Sequence, residues 1–432
     1  MSFDIPKHTG QRIAVIGGGI SGLAAAYLLQ DQHQVTLYEA APRLGGHART
    51  ILAGRNGDQP VDTGFIVFNY ANYPHLTRMF HDLEVPVERS DMSFGASIDG
   101  GRIEYGLRTL GALIGQKRNL ARPGFVRMVR DINRFNTHAE TMAADDDISV
   151  GDLVQKLGLG HWFQSYYLMP ICGAIWSTPP DKIRDFPARS LVRFFRNHAL
   201  LSATGQHQWW TVSGGSIEYV RRLQRHLADH GTQLRPDTPV HSVSRNPAGV
   251  TIRAKGAEPE HFDQVIFACH SDTALRLIER PSHAEFTALS ALKYQDNTMV
   301  LHRDTSVMPR RKICWSSWVY QARTGQEKPS IGVTYWMNRL QNIPDSDPLF
   351  VTLNPDRPVD EAQIYDQHIF RHPVFDTGAL KAQGQIADLQ GQNNTWFAGA
   401  YLRHGFHEDG FASAHRVAKM LNQKSELMRV AS

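Results

Sequence analysis

The chain has 432 residues, of which 41% are hydrophobic and 20% are charged. This length exceeds one ordinary core and indicates two domains, and 46 basic against 42 acidic residues give no sign of nucleic-acid binding. The first eleven residues lack the charged start and apolar run of a signal peptide, and the longest apolar stretch near the start is broken by glycines. We therefore expect a cytoplasmic protein without a transmembrane helix.

Four short apolar runs that lie far apart in the sequence have the character of buried strands. They begin near residues 12, 34, 264 and 395, and a helix-forming stretch separates the first from the second. This arrangement predicts an α/β fold in which a Rossmann-type nucleotide-binding domain is assembled from separated segments. We assign to that domain the residues 10–72, 210–271 and 389–432.

The two intervening segments are then an α+β substrate-binding domain, formed by residues 73–209 and 272–388. The first segment looks mainly helical, with a capping-box start at Ser149 and Asp152. The second carries alternating runs at 298–302 and 330–335, which predict antiparallel strands.

A glycine motif, Gly17-x-Gly19-x-x-Gly22, follows the first strand and opens the first helix. Gly17 permits the tight turn, Gly19 lets the backbone approach a pyrophosphate, and Gly22 lets the helix pack on the strand. The helix amides and dipole, at Ser21 and its neighbours, face the phosphates. The motif therefore predicts a dinucleotide site.

Glu39 stands at the end of the second strand, twenty residues beyond Gly19. A carboxylate at that place accepts both ribose hydroxyls of an adenosine and repels a 2'-phosphate. The nucleotide is then NAD or FAD rather than NADP, unless Glu39 is merely a solvated strand end.

A second glycine pair, Gly45-Gly46, follows within the stretch Glu39 to His47, and here the chain resembles the flavin amine oxidase superfamily, which includes protoporphyrinogen oxidases and phytoene desaturases. The resemblance implies FAD, an amine-oxidase-like two-domain fold, and cofactor contacts from Arg43, Gly45 and Gly46. His47 stands where many members have arginine.

Three further segments resemble cofactor-binding segments of the same superfamily. The resemblance places Gly64 and Phe65 beside the isoalloxazine ring, Val240 against adenine, and a strand end with the following helix start near flavin N1 and the C2 carbonyl. For Glu408 and Asp409, capping of that helix is an equal alternative. The residues implied at the strand end and helix start are Gly399, Glu408, Asp409, Gly410 and Phe411.

Other features separate the chain from typical amine oxidases. Amine oxidases usually carry a lysine on a strand of the substrate domain, where it holds a water near flavin N5. The best matching stretch here, Asp296–Leu301, contains no lysine, and Lys293 lies a few residues before it. No cysteine follows Cys314, so we expect noncovalent FAD, and no second dinucleotide fingerprint is present for NAD(P)H. Oxygen, a quinone or a protein carrier is then the oxidant of the reduced flavin.

Aromatic residues of the second domain predict an apolar substrate pocket, although core packing explains some of them equally well. Phe406 matches one member of the ring-flanking aromatic pair of monoamine oxidases, and Trp315 and Tyr335 are further candidates. The 21 histidines show no ligand spacing, and the three cysteines form no CxxC pair, so no metal site is expected.

The segment from Arg108 to Arg134 holds seven basic residues among apolar ones and one acid, Asp131. It is either a peripheral contact with the anionic inner face of a membrane or a solvated basic surface.

Within the superfamily the chain is most similar to bacterial NAD/FAD-binding proteins that carry Gly-Phe-His-Glu-Asp-Gly, a group associated with cyclopropane fatty acid synthases. The leading hypothesis is an FAD-dependent oxidase or desaturase acting on an apolar, lipid-derived small molecule. The alternatives are an amine oxidase on the same fold and a non-catalytic flavin-binding partner of a lipid-modifying enzyme.

Overall fold

A computed structural model describes residues 10–144, 148–176, 183–197, 207–323 and 331–431. Its first large element is a parallel sheet of five strands, which confirms the predicted α/β class. The four predicted apolar runs pair in it, and a short fifth strand that the sequence did not reveal lies at one edge. The strand order is Gln233–Arg235, Gln34–Tyr38, Arg12–Ile16, Gln264–Phe267 and Thr395–Phe397.

Helices cover both faces of this sheet. Along strand Arg12–Ile16, Ile13 and Val15 pack on one side and Ala14 and Ile16 on the other, as expected when both faces are buried. One face is covered by helices Ile20–Leu29, Ile217–Asp229 and His407–Ala431. The other is covered by Ser271–Leu277, His283–Ala291 and Thr377–Leu389.

The three helices on this second face lie almost wholly within residues 272–388, which the sequence assigns to the substrate domain. Packing therefore unites part of that segment with the parallel sheet. The division into domains stays a prediction.

The second large element is a sheet of seven strands, here called the large sheet. The run predicted at 298–302 lies within the strand Lys293–His302, and residues 331–335 of the run predicted at 330–335 lie in the strand Ile331–Trp336, whereas Ser330 lies outside the described residues. The neighbours of both strands are antiparallel to them. A parallel pair joins it to two strands of the first insert. The strand order is Ile364–Val374, Lys293–His302, Phe350–Leu353, Ile331–Trp336, Trp318–Ala322, Phe94–Ile98 and Ile103–Gly106.

A helical layer from the first insert packs beside the large sheet around its own apolar cluster. The capping box is present, because the Ser149 hydroxyl accepts from Asp152 N while the Asp152 carboxylate accepts from Ser149 N. The insert is less purely helical than predicted, since it also contributes strands. Its longer helices are Pro74–Asp82, Pro123–Met142, Val150–Lys156, Met169–Trp176 and Ala188–Asn197.

Three small sheets complete the strand inventory of the described residues. They are the pair Thr50–Ala53 and Gln59–Asp62, the trio Val67–Phe68, Trp209–Val212 and Val87–Ser90, and the trio Val240–Asn246, Gly249–Ala254 and Glu260–Phe262. Short helices lie at Leu110–Leu113, Lys117–Ala121, His161–Phe163, Gln164–Leu168, Thr305–Val307, Lys312–Cys314, Met337–Leu340, Glu361–Gln363, Gln392–Asn394 and Ala400–Leu402. In the part of the chain that the structure describes, no helix combines the length and apolar character needed to cross a membrane.

Candidate flavin and substrate cavity

A cavity of about 720 Å³ lies between the two large sheets. Residues from both sheets line it. Eleven of the residues singled out from the sequence line it: Gly17, Gly19, Ser21, Glu39, Gly46, Gly64, Phe65, Val240, Tyr335, Gly399 and Phe406. The structure thus brings together segments that are separated by almost the whole chain.

The first glycine turn is shaped by close approaches. Gly17 has a φ of +113°, a conformation that favours glycine, and its N–H donates to Tyr38 O at 2.8 Å. A Cβ at Gly22 would lie 1.8 Å from Gly17 O, so that helix Ile20–Leu29 packs tightly on the turn. At Gly19, among the atoms of the described residues, an added Cβ would find within 4 Å the Gly46 Cα alone, at 3.9 Å. Since Gly19 lines the cavity, this open face is where a ligand can approach the backbone.

Glu39 ends the neighbouring strand and faces the same turn. Its two carboxylate oxygens accept hydrogen bonds from Gly18 N at 2.6 Å and Ala41 N at 2.8 Å. These bonds fix the carboxylate at the cavity wall, beside the first turn. Its role as a ribose acceptor stays a prediction.

The second glycine pair packs directly on the first turn, because Gly45 N donates to Gly18 O at 2.8 Å. Arg43 does not line the cavity. Its guanidinium instead donates to the carbonyls of Gly46 and Ala48, at 2.8 and 3.1 Å, and holds this turn in shape. The cofactor contact that the resemblance implies for Arg43 stays a prediction, and within the described structure its guanidinium holds the turn around Gly46 in place.

His47, whose role the sequence left open, is a cavity residue. Its ring stacks on Phe370 at 4.9 Å between centroids and lies 5.4 Å from His372 and 6.3 Å from His270. Burial, and then the neighbouring His372, hold the pKa of His47 well below its usual range. Burial likewise lowers the pKa of His270 and of His372 to about 4.

These histidines are therefore neutral donors and acceptors at neutral pH. Within the described ranges, no three metal-ligating side chains are arranged to hold a metal ion. The sequence signal for this cluster was weak, since its members come from three distant segments and only His47 occupies a family motif.

Gly64 and Phe65 meet the start of the C-terminal helix. A Cβ at Gly64 would lie 2.1 Å from His47 O, so glycine is required by this close approach. The Phe65 ring stacks on His407 at 4.0 Å, and the Tyr219 hydroxyl lies 2.6 Å from His407 Nε2. Burial lowers the pKa of His407 to about 3. The two segments implied to flank the isoalloxazine ring are thus in contact.

The acidic residues of that helix start serve packing in the described structure. Glu408 accepts from His75 N and Leu76 N, both at 3.0 Å, and so caps a different helix, Pro74–Asp82. Burial raises the pKa of Glu408 to about 7. Asp409 accepts from Phe406 N at 3.0 Å and caps its own helix. Asp409 thus caps its own helix as the alternative expected, whereas Glu408 does not, and the direct cofactor contacts of both residues stay predictions.

Gly410 and Phe411 also lie outside the cavity wall. A Cβ at Gly410 would lie 2.9 Å from Ser21 Oγ, so this glycine lets the C-terminal helix approach the first helix. Phe411 is buried and stacks on His75. Gly399 does line the cavity, and its N–H donates to Ser413 Oγ at 2.8 Å.

The other end of the cavity is aromatic and apolar. Tyr335 and Trp318 meet edge to face at 5.0 Å, and Phe406 lies in the same wall. Trp315 does not contribute. It packs on Trp336 at 5.1 Å, and its indole N–H donates to Pro309 O at 2.7 Å. Further lining residues that the sequence did not single out are Met92, Trp209, Leu353, Phe370 and Phe375.

Lys293 does not line the cavity. It begins its strand on the exposed side, and its Nζ donates to Ser290 O at 2.9 Å. Asn297 is a buried polar residue of the same strand, and its amide nitrogen lies 2.7 Å from His372 Nδ1. No lysine is present among the described residues that line the cavity, in agreement with the sequence pattern.

Three shielded polar atoms of the cavity wall fit a bound polar molecule. His47 Nε2, Trp318 Nε1 and the Tyr401 hydroxyl find no hydrogen-bond partner among the described residues, and all three side chains line the cavity. Buried polar atoms without partners are rare in native proteins and call for an explanation. Ligands bound in the cavity supply one.

The fold and the cavity define a class of proteins in which a Rossmann-type parallel sheet and a second, mixed sheet enclose a cavity between them. A family model described as flavin containing amine oxidoreductase matches residues 20–313, and the chain belongs to that family. The family-level predictions of a flavin cofactor, FAD, and of an oxidoreductase class are thereby confirmed.

Individual relatives are distant. The chain is 25% identical over 291 residues to carotenoid phi-ring synthase of Streptomyces griseus, which covers 62% of this chain and 53% of that protein. It is 49% identical to protoporphyrinogen oxidase 2 of Arabidopsis thaliana over 49 residues, or 11% of this chain and 10% of the relative. The chain thus matches about half, or less, of the length of these relatives.

Solved structures share the fold at lower identity. Cyclohexylamine oxidase from Brevibacterium oxydans superposes with a TM-score of 0.67 at 16% identity, covering 96% of this chain and 100% of that one. A CLA-producing fatty acid isomerase from P. acnes superposes with a TM-score of 0.66 at 13% identity, covering 98% and 99%. At these identities the likeness concerns the fold.

Proposed function

We propose that the protein is an FAD-dependent oxidoreductase of the oxidase or desaturase type that acts on an apolar, lipid-derived molecule. When bound, FAD supplies the chemistry, by accepting a hydride or electrons at N5. The chain's own residues bind and orient it: the open face of Gly19, the Glu39 carboxylate and the contact of Phe65 with His407 provide three places along the cavity.

The observation that carries the substrate class is the distribution of charge along the cavity wall. Among the described lining residues, Glu39 is the one carboxylate, and it belongs to the nucleotide end. A cationic amine would find no counter-charge in the wall formed by Met92, Trp318 and Tyr335. An apolar chain would bury its surface there at about 25 cal/mol per Å².

The histidine wall adds uncharged hydrogen-bonding groups to a cavity whose cationic lining residues, in the described part of the chain, are Arg276 and Arg371. His47, His270 and His372 have lowered pKa values, so they bring hydrogen-bonding capacity without positive charge at neutral pH. A fatty acid is also what the description of one structural neighbour names as its substrate.

The experiment that tests this proposal is anaerobic reduction of the bound flavin. The purified yellow protein is mixed under nitrogen with fractionated phospholipids and fatty acids, and in parallel with a panel of amines. We expect a lipid fraction to bleach the visible flavin band and the amines to leave it unchanged.

Bleaching by amines alone, with peroxide release in air, would instead establish the amine oxidase alternative, which the family name favours. Flavin that no fraction reduces would favour a non-catalytic, flavin-binding partner subunit. Peripheral contact with a membrane through residues 108–134 also stays a proposal. The exposed residues of this segment and their neighbours are described in the next subsection.

A further inference from the structure

Two segments far apart in the sequence form one exposed apolar patch. Leu110 and Ile114 lie four residues apart at a short helix, and their exposed fractions are 73% and 37%. Ile313 comes from the second insert and is 57% exposed. It packs beside the same helix, because a Cβ at Gly115 would lie 2.7 Å from its Cγ2 and one at Gly111 would lie 3.9 Å from its Cδ1. We call these three residues the apolar patch.

Arginines converge next to this patch, at the turn that carries Arg102. Arg118 donates to Arg102 O at 3.0 Å and to Gly101 O at 3.1 Å, and Arg122 donates to Arg102 O at 2.8 Å. The guanidiniums of Arg118 and Arg122 thus bond to backbone carbonyls. Burial, followed by repulsion from Arg118 and Arg102, lowers the pKa of Arg122, which reflects how closely the three cations gather.

The second insert adds cations that flank Ile313 directly. Arg310 lies against the same turn, since a Cβ at Gly101 would meet its Cδ and Nε at 3.3 Å. Arg311 pairs with the buried Glu104 at 2.7 Å, and Lys312 is exposed. Carboxylates pair with only some of these cations. The resulting cationic rim consists of Arg102, Lys117, Arg118, Arg122, Arg310, Arg311 and Lys312.

We propose that the apolar patch and its cationic rim dock the protein on an anionic lipid bilayer. Exposed aliphatic side chains inside a ring of arginine and lysine match the boundary between acyl chains and anionic headgroups. A polyanion without an apolar phase would leave Leu110 and Ile313 in water. The surface differs from the sequence segment 108–134, because residues 310–313 complete it.

This docking surface goes beyond the proposed function and does not depend on the identity of the substrate. The helical layer beneath it nevertheless leads to the cavity: its apolar cluster contains Phe375 and contacts Phe406, and both side chains line the cavity. A docked bilayer therefore borders the layer that covers the aromatic end of the cavity.

The test uses the FAD-loaded full chain and vesicles of phosphatidylcholine with or without phosphatidylglycerol, measured by co-sedimentation. We expect binding to the anionic vesicles that weakens as salt rises. Replacing Leu110→Glu and Ile313→Glu together should lower partitioning about tenfold or more. The matched control is Phe286→Glu, an exposed apolar residue (54%) on a helix of the parallel sheet, which should bind like the wild type.

Equal flavin absorbance and thermal midpoint in both variants show that folding is intact. Absence of vesicle binding by the wild type, or binding that the double variant retains in full, would overturn the proposal. Retention on heparin as strong as on vesicles, and insensitive to the apolar substitutions, would overturn it in favour of a polyanion site. Flavin reduction by a substrate dispersed in detergent should be unchanged in the double variant, because it needs no bilayer. This measurement therefore distinguishes a failure of the docking surface from a failure of the proposed function.

Discussion

At the scale of single residues, the most informative feature of the cavity is a polar atom in an apolar wall. Trp318 presents a shielded indole N–H that finds no acceptor among the described residues, next to the edge of Tyr335. Leaving such a donor unsatisfied costs about 1–3 kcal/mol. A substrate acceptor that meets this N–H would recover that free energy and orient an otherwise featureless apolar molecule.

We therefore expect Trp318→Phe to weaken substrate binding while FAD stays bound. The substrate concentration for half-maximal flavin reduction should rise about fivefold to tenfold, which corresponds to roughly 1–1.4 kcal/mol. The control is Trp315→Phe, whose N–H serves Pro309 outside the cavity and whose loss should lower thermal stability only. Equal substrate dependence in the two variants would show that the Trp318 N–H has no role in binding.

The buried histidines predict how stability responds to pH. Burial holds the pKa of His270 at about 4 in the folded protein, against about 6.5 in the unfolded chain. Below pH 6.5 the unfolded chain takes up a proton that the folded protein refuses. Protonation then favours unfolding until the pH reaches about 4. The raised pKa values of Asp62 and Glu408 act in the opposite sense, so the effect is best isolated by comparing variants.

His270→Phe keeps the aromatic stack on Tyr294 and removes the titrating group. Between pH 7 and pH 4, the FAD-free variant should lose ~3 kcal/mol less free energy of unfolding in urea than the wild type. His81→Asn, at an exposed histidine, should follow the wild-type curve. Parallel curves for all three proteins would contradict a neutral, buried His270.

How far the sequence predicts single residues depends on whether their task is local. Gly22 is readable because its close approach involves Gly17, a neighbour in the chain, and Gly17 is readable from the glycine spacing although a Cβ there would lie 2.8 Å from the distant Ala268 O. His47 and His372 are not, since residues more than 300 positions apart create that cluster. Trp315 and Trp318 look alike in sequence, but the strand begins at Trp318, so only that ring takes a position in the cavity wall.

At the scale of elements, the first helix carries a sharper prediction about packing. Gly22 and Gly384 both lie inside helices, where alanine is the better helix former by up to about 1 kcal/mol. A Cβ at Gly384 meets no atom of the described residues within 4 Å, whereas one at Gly22 would lie 1.8 Å from Gly17 O. Helix propensity alone therefore determines the effect of an alanine in place of Gly384, and steric overlap determines the effect of an alanine in place of Gly22.

Gly384→Ala should therefore raise the free energy of unfolding by about 0.5–1 kcal/mol. Gly22→Ala should lower it by about 1–3 kcal/mol and also release FAD, because the first turn must move to make room. Urea unfolding and flavin retention on gel filtration measure both effects. A Gly22→Ala protein as stable and as yellow as the wild type would disprove the steric account.

Sequence patterns identified the long elements better than the ways in which elements join. Glu408 sits where an acid commonly caps its own helix, yet it caps Pro74–Asp82 instead, a partner more than 300 residues away. The short strand Gln233–Arg235 escaped prediction because three residues carry no periodicity and only pairing with Gln34–Tyr38 defines it. In both cases tertiary contacts supply the missing information.

At the scale of the whole molecule, the two large sheets share one apolar core. A single cluster joins Ile13 and Val15 of the parallel sheet to Met299, Leu301 and Val351 of the large sheet. Domain movement is the usual expectation unless an interface is extensive and apolar. Because this interface is apolar and continuous, we expect the sheets to keep their relative position when a ligand enters.

The cavity makes FAD a link between the sheets. Its adenine and pyrophosphate half would contact Gly19, Glu39 and Val240, which belong to the nucleotide side, whereas its flavin half would reach Phe65 and Tyr335 beside the large sheet. A ligand that binds only the folded state stabilises it by RT ln(1 + [L]/Kd), or about 2.7 kcal/mol at a hundredfold excess over Kd. FAD and its fragments should therefore stabilise different parts of the molecule.

We expect saturating FAD to raise the thermal midpoint of the stripped protein and to slow proteolysis on both sides of the cavity. Adenosine diphosphate, which offers only the nucleotide half, should protect peptides of the parallel sheet and leave the strand Ile331–Trp336 as susceptible as in the ligand-free protein. Mass spectrometry of limited digests measures this, with adenosine as a control that lacks the pyrophosphate. Equal protection of both sheets by adenosine diphosphate would mean that the shared core, rather than the flavin half, couples them.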